Sequence, residues 1–406
     1  MHKYQDIIGR LNYGLFLTVV ALLPFPQIAL RYTCVIWFIL WVLEGRWLRK
    51  PNFKSQISNL KFAIPFIFFG AWYAWKLISG CWAADGLAWS EQMERYLAFG
   101  LIIPVGIWGV NERYNWHTAG KVLVISCVTA MILYLVMMVT LFHHREIIDN
   151  IRWEARWDYS QTSWLTFFAE NITVVKHRLY LCMVELFGMV MAYLLYRKKP
   201  LILIPSLLIM GSSLVLTASR QSVITAVALL VVIILFAIPE QKRLRYGIAI
   251  IFTGFVLGFG LMKIHPRMRN FDYQADQRIN IWGAALQHPK DYIWDGLGAG
   301  QSGNYMMQQY EDLKMTTYAE RRYNCHNQYL EETMEIGVFG LILFLMAWLS
   351  IPICAKGKAR QTACLLAVLF LFNMFTECVF GRYDGIALWA VGMILILVHA
   401  HTEREQ

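Results

Sequence analysis

Apolar runs of membrane-crossing length, parted by short polar gaps, recur along almost the whole chain. This feature constrains the fold most. A backbone inside hydrocarbon must satisfy its own N–H and C=O groups, and for runs of this kind that leaves the α-helix. About twelve runs are long enough to cross, or nearly cross, a bilayer core. They lie at 11–27, 30–45, 62–80, 94–110, 119–142, 177–196, 200–217, 221–238, 247–264, 335–354, 361–378 and 385–400. Pro24, Pro26 and Arg31 split the first pair. The first run has no small-residue cleavage site and leads at once into more apolar sequence, which argues against a signal peptide.

Composition agrees with this reading. Hydrophobic residues make up 58% of the 406 residues and charged residues 16%, against roughly 25% charge in soluble domains. The 16 Trp and 20 Tyr suit many water–lipid boundaries. A net charge of +10 would fit a nucleic-acid partner, but the basic residues sit in short gaps between apolar runs, so no nucleic acid is expected. The expected class is an all-α polytopic membrane protein, with about twelve transmembrane helices in a single membrane domain over 1–406.

Charge orients the chain. Alternate gaps carry Arg46, Arg49, Lys50, Lys54 and Lys61, then Arg113 and Lys121, then Arg197, Lys198 and Lys199. Lys242, Arg243 and Arg245, and then Lys356, Lys358 and Arg360, continue the series, whereas the 81–93 gap has Asp85 and Glu91 and no Lys or Arg. Basic short loops remain cytoplasmic, which puts both termini in the cytoplasm. Two longer loops, 143–176 and 265–334, then fall on the outer side, and their Trp and Tyr content implies that they fold. Within the second, 276–288 places Ile279, Trp282, Ala285 and Leu286 near one helical face, as in an amphipathic helix lying on the membrane or capping a cavity. Of the eight cysteines, Cys81, Cys325 and Cys378 are placed toward the oxidising side, but no pairing or metal spacing follows from sequence.

Chemistry-bearing residues gather late. His326 stands at the mouth of an apolar run and is followed by Asn327, Gly337 and Gly340. A His there is suited to accept a proton near neutral pH, and the two glycines fall on one helical face, which favours close helix approach. An ordinary interfacial His before a Gly-containing span reads the same way. Arg220, in TASRQS, is held near the membrane surface by a gap of almost no length. Its planar fork suits a phosphate or diphosphate, although snorkelling explains it equally. Arg278 offers a second guanidinium or a solvated helix face. Gly296, Gly298, Gly300 and Gly303 form a stretch whose N–H groups suit an anion, or simply a flexible turn.

In order, these residues resemble the O-antigen ligase and polymerase superfamily of bacterial envelope glycosyltransferases. His326-Asn327…Gly337…Gly340 is similar to the O-antigen ligase signature, and Arg278…Trp282…Pro289…Gly296…Gly298…Gly300 is similar to the segment ahead of it. Ser219-Arg220 resembles the family's Ser-Arg pair at a helix end. The motifs cover residues 205–345. The resemblance implies inverting, metal-independent glycan transfer, with no cofactor, at the outer face of the bacterial inner membrane. The donor implied is a glycan on undecaprenyl diphosphate, and the acceptor a lipid A–core sugar. It assigns the catalytic base to His326 and the diphosphate to Arg220 and Arg278. Supporting positions are Asn327, His177, Arg178, Glu377, Gly298 and Gly300, although the Arg-Leu-Tyr after His177 departs from the expected form. Relatives often carry an acidic residue at the helix end occupied by Glu377, where it would orient an Arg or His.

Two other classes compete. A polymerase of the same superfamily would use another lipid-linked repeat unit as acceptor. A transporter would need ionisable residues deep in several spans, and Glu185 and Lys76 look isolated in that role.

Overall fold

The structure is a computed structural model that describes residues 2–48, 53–144, 163–239 and 277–402, with scattered positions between 241 and 260. Every regular element among the described residues is helical. The first nine helices are α1 (His2–Leu22), α2 (Gln27–Leu43), α3 (Phe53–Ile78), α4 (Gly86–Trp108), α5 (Trp116–His143), α6 (Trp164–Val175), α7 (Arg178–Tyr196), α8 (Pro200–Leu216) and α9 (Arg220–Ala237). After the undescribed stretch come α10 (Gln277–Ala285), α11 (Ser302–Asp312), α12 (Thr316–Glu320), α13 (Gln328–Cys354), α14 (Gly357–Met374) and α15 (Tyr383–Thr402). Each expected span coincides with a helix except 247–264, which lies largely outside the described residues. So do 145–162 and 265–276 of the two expected outer loops.

Among the described residues, six helical segments are long and apolar enough to cross a membrane: 63–81, 116–143, 178–196, 220–237, 328–354 and 383–402. Shorter apolar helices lie at 27–43, 164–175 and 200–216. Leu201, Leu208 and Ile125 are 90%, 70% and 64% exposed on such helices, a costly surface in water and an ordinary one in lipid. These helices fit a membrane protein.

The chain forms two compact units, Met1–Leu40 with Glu112–Phe271, and Trp41–Asn111 with Asp272–Gln406. In the first unit, α5 packs on α1, α7 and α8, and α7 also packs on α9. Helix α6 was expected to be part of an outer loop. Within that segment it packs through Phe167, Phe168 and Ile172 against Met131, Tyr134, Met138 and Leu181. The turn holding Pro24 and Pro26 leaves carbonyls without helical donors, and Lys176 Nζ donates to Leu23 O and Phe25 O, at 3.0 Å each.

In the second unit, α13 packs along α3 and α14, while α4 contacts α3 and α15. Trp72, Trp348 and Trp389 are fully buried there, with Tyr96, Phe99, Phe344 and Phe380 around them. These Trp residues therefore build core rather than line water–lipid boundaries. Polar side chains set the helix starts. Asp85 Oδ1 accepts from Leu87 N and Ala88 N at α4, and Asn327 Oδ1 accepts from Tyr329 N and Leu330 N at α13.

Candidate active site

Helix α13 begins two turns earlier than hydropathy implies, because its first turns carry Glu331, Glu332 and Glu335. All three are buried. Lys76 Nζ of α3 lies 2.5 Å from Glu335 Oε2 and 3.2 Å from Glu332 Oε2. Trp72 Nε1 donates to Glu332 Oε2 at 2.8 Å. Gln92 Nε2 donates to Glu335, and Gln328 Nε2 donates to both Glu331 and Glu332. Lys76, which looked isolated in sequence, is the cation of a buried network.

The helix then breaks. Ile336 and Gly337 leave helical geometry, and Gly337 has φ +68° and ψ −179°, a region open essentially to glycine alone. A Cβ on Gly337 would lie 1.9 Å from Trp294 O. The two signature glycines therefore do not share a helix-packing face: Gly337 makes the break, and Gly340 makes room for the Ile336 side chain. The glycine-rich stretch occupies the break. Leu297 N donates to Met334 O, Gly298 N to Glu335 O, and Val338 N to Ile293 O, at 2.7–2.8 Å. Gly300 N and Ser302 Oγ donate to Glu335 Oε1, at 3.2 and 2.8 Å. The Gly300 N–H and the Ser302 hydroxyl thus hold an anion of the chain itself, while Gly298 N–H satisfies a backbone carbonyl at the break. Asp85 ties the far end of the stretch, exchanging backbone–side-chain bonds with Gln301 and accepting from Asn304 Nδ2. The Ala88 N–H, then Asn304, hold the Asp85 carboxyl below its usual range.

Around this strap, 277–325 folds into a small core of Ile281, Ala284, Ala285, Tyr292, Tyr305, Met306 and Tyr310. Helix α10 buries Ile281, Ala284 and Ala285, while Leu286 is 53% exposed. The expected apolar face of Ile279, Trp282, Ala285 and Leu286 is rotated, because the helix packs on its own loop core. Burial pushes the Tyr292 phenol up to about 12.

His326 leads into α13. Its φ of +45° is left-handed, a conformation in which His is enriched but still costs of order 1 kcal/mol or more. Asn324 Oδ1 holds the turn by accepting from His326 N at 3.1 Å. His326 Nδ1 stands 3.3 Å from Glu377 Oε1, with side chains 26% and 12% exposed. Glu377 lies between α14 and α15, and the same loop is gripped from α10: Arg278 Nε donates to Thr376 O at 3.2 Å, and the Trp282 ring meets Phe375. Trp282 Nε1 also donates to Cys325 O at 3.0 Å. The second unit therefore brings His326, Glu377, Asn327 and Arg278 into one neighbourhood.

The first unit holds Arg220, His177 and Arg178. The hairpin α7–α8–α9 brings the starts of α7 and α9 to one end, where Cys182 Sγ touches Thr217 Oγ1 at 3.1 Å. Ala218 has φ +52° where a helix end usually places glycine, which turns the chain into Ser219 and then Arg220. Arg178 and Arg220 each begin a helix, where the positive end of the dipole adds to their charge and favours an anion.

Residues 205–345 match the family model Wzy_C, O-antigen ligase. The match supports placing the chain in the O-antigen ligase superfamily, as the motifs implied, and supports membrane glycan transfer of the ligase or polymerase type. Ser219-Arg220, Arg278, the glycine-rich strap and His326 through Gly340 all fall within the matched stretch, and Glu377 falls beyond it. A comparison with curated proteins gives no match. Sequence reasoning passed over the Glu331–Glu332–Glu335 network. Its signal was three acidic residues opening an otherwise apolar helix, which within a membrane protein marks a built polar site.

Proposed function

We propose that this protein is an O-antigen ligase, transferring a glycan from undecaprenyl diphosphate to a lipid A–core sugar at the outer face of the bacterial inner membrane. Both termini are then cytoplasmic, and 143–176 and 265–334 face the periplasm. The observation that carries the reading is the contact between His326 Nδ1 and Glu377 Oε1 at the mouth of α13.

A sugar hydroxyl is a weak nucleophile until a base takes its proton. With Nδ1 turned to Glu377, Nε2 is the nitrogen assigned to the acceptor hydroxyl. Glu377 fixes the ring and stabilises the imidazolium that forms. The hydroxyl oxygen bonds to the anomeric carbon as the bond to the diphosphate oxygen breaks, and the leaving group keeps the electron pair. One displacement inverts that centre. Arg278 and Arg220 are assigned to the diphosphate, whose growing charge their planar forks suit. His177 and Arg178 are supporting donor contacts. Asn327, Gly298 and Gly300 act behind His326, fixing the start of α13. The prenyl tail remains in lipid, which accounts for a site at the membrane boundary.

The deciding experiment is a deletion strain examined on a lipopolysaccharide gel. Bare core together with polymer retained on the lipid carrier is the expected result. Core bearing a single repeat unit would assign polymerisation instead.

A further inference from the structure

Two cysteines flank the His326–Glu377 pair. Cys325 precedes His326, and Cys378 follows Glu377. The two loops run past each other so that each residue meets its counterpart. Cys325 Sγ lies 3.5 Å from Cys378 Sγ, next to the His326–Glu377 contact. Both thiols are buried, at 1% exposure, within the core that also holds Ile281, Tyr310 and Met334. The backbones on either side are fixed. Trp282 Nε1 holds Cys325 O, Asn327 caps α13, and Arg278 Nε holds Thr376 O. At 3.5 Å the sulfurs are already in contact, within reach of a bond by side-chain rotation.

We infer that Cys325 and Cys378 are joined by a disulfide in the mature protein, and that this bond clamps the loop carrying His326 to the loop carrying Glu377. Two S–H bonds break and one S–S bond forms. The two electrons and two protons pass to a disulfide-bearing thiol oxidoreductase, whose own disulfide becomes a dithiol. The bond requires an oxidising compartment, which is where the proposed topology places this loop. Both sulfurs are buried, so an external reducing thiolate has little access to the bond in the folded protein. The bland alternative is a pair of small hydrophobes in a core, and it predicts free thiols.

The test uses the full chain, purified from membranes with thiols trapped by acid. The protein is denatured in detergent with maleimide, before and after reduction. Six of the eight cysteines should label before reduction and all eight after it, and a peptide pair linked through Cys325 and Cys378 should appear by mass spectrometry. Labelling of both residues without reductant overturns the disulfide, and leaves the transfer reading to the gel experiment. For the clamp, reductant should lower the melting temperature of the wild type by several degrees and leave that of Cys378→Ser unmoved. Equal shifts in the two proteins, or none in the wild type, would refute it.

Discussion

Glu377 Oε1 lies 3.3 Å from His326 Nδ1, reaching across from the loop between α14 and α15 to the residue that leads into α13. A carboxylate in this position selects one tautomer and one ring orientation, and it favours the imidazolium that a general base becomes. Hydrogen bonds to charged groups contribute about 1.5–3 kcal/mol. Glu377→Gln keeps the shape and loses the charge, so turnover should fall roughly ten- to a hundred-fold with donor affinity unchanged. Steady-state kinetics on purified protein with labelled lipid-linked donor checks this. Unchanged kcat would remove Glu377 from the site.

His326→Ala should slow transfer by roughly a hundred-fold or more, the usual worth of a positioned base. Folding should survive, because Asn327 caps α13 through its own side chain and does not need the imidazole. A variant with a wild-type melting curve and near-normal turnover would exclude His326 as the base.

The two arginines separate charge from geometry. Arg278→Lys and Arg220→Lys each keep the cation but lose the planar fork that matches a diphosphate. Each should raise KM for the lipid-linked donor and lower kcat, and restoring charge alone should not rescue either protein. Arg278→Lys also gives up the Nε bond to Thr376 O, so its melting temperature should drop more than that of Arg220→Lys. If either Lys variant matches wild type in both parameters, that Arg has no part in holding the diphosphate.

The glycines of the strap are structural tests. Gly300 has φ +84°, and a Cβ there would stand 2.4 Å from Ala88 O. Gly303 has nothing within 4 Å of its Cβ position. Gly300→Ala should therefore destabilise the protein markedly and disturb Glu335, while Gly303→Ala, in α11, should be neutral or slightly stabilising. Thermal unfolding of the two variants side by side decides it. Equal melting temperatures would mean that Gly300 does not hold the strap.

Much of this was legible in the chain, and the failures share one cause. Helices α5, α7, α8 and α9 start and stop within a few residues of their apolar runs, where hydropathy and local caps such as Asn115 agree. His326, Arg278 and Arg220 stand out in sequence by residue type and by their order within the matched stretch. Helix α13 was read as starting at 335 because Glu331 and Glu332 look like loop residues. Their partners Lys76, Trp72 and Gln92 lie more than two hundred residues away in sequence, and no local pattern reports them. The glycine-rich stretch reads in sequence either as N–H groups suited to an anion or as a flexible turn. What sequence hides is that Gly300 N–H meets the chain's own Glu335 carboxylate. Helix α6 has no separate span in the sequence reading because 12 residues, Glu170 and Asn171 among them, are too few to cross a bilayer, and only its contacts with α5 and α7 show it buried.

Lys76 is the residue on which the start of α13 depends most. Its ammonium is fully buried between Glu332 and Glu335, and α3 supplies it from far away in the chain. Removing one partner of a buried pair leaves the other charge without compensation, at a cost of about 3–5 kcal/mol. Lys76→Met keeps the stem and removes the cation, so Glu332 and Glu335 would be left with the neutral donors Trp72, Gln92, Gln328, Ser302 and Gly300 and no cation. The melting temperature in detergent should fall steeply. Glu335→Gln should also destabilise, since it weakens the bonds from Gly300 and Ser302. The two changes together should cost less than the sum of each alone, because neutralising Glu335 relieves part of what Lys76→Met leaves uncompensated. Transfer activity should decline in step with stability rather than through kcat at a temperature where the variants remain folded. Strictly additive effects would mean that the ion pair does not couple α3 to α13, and that the break at Gly337 is held by the backbone bonds of the strap alone.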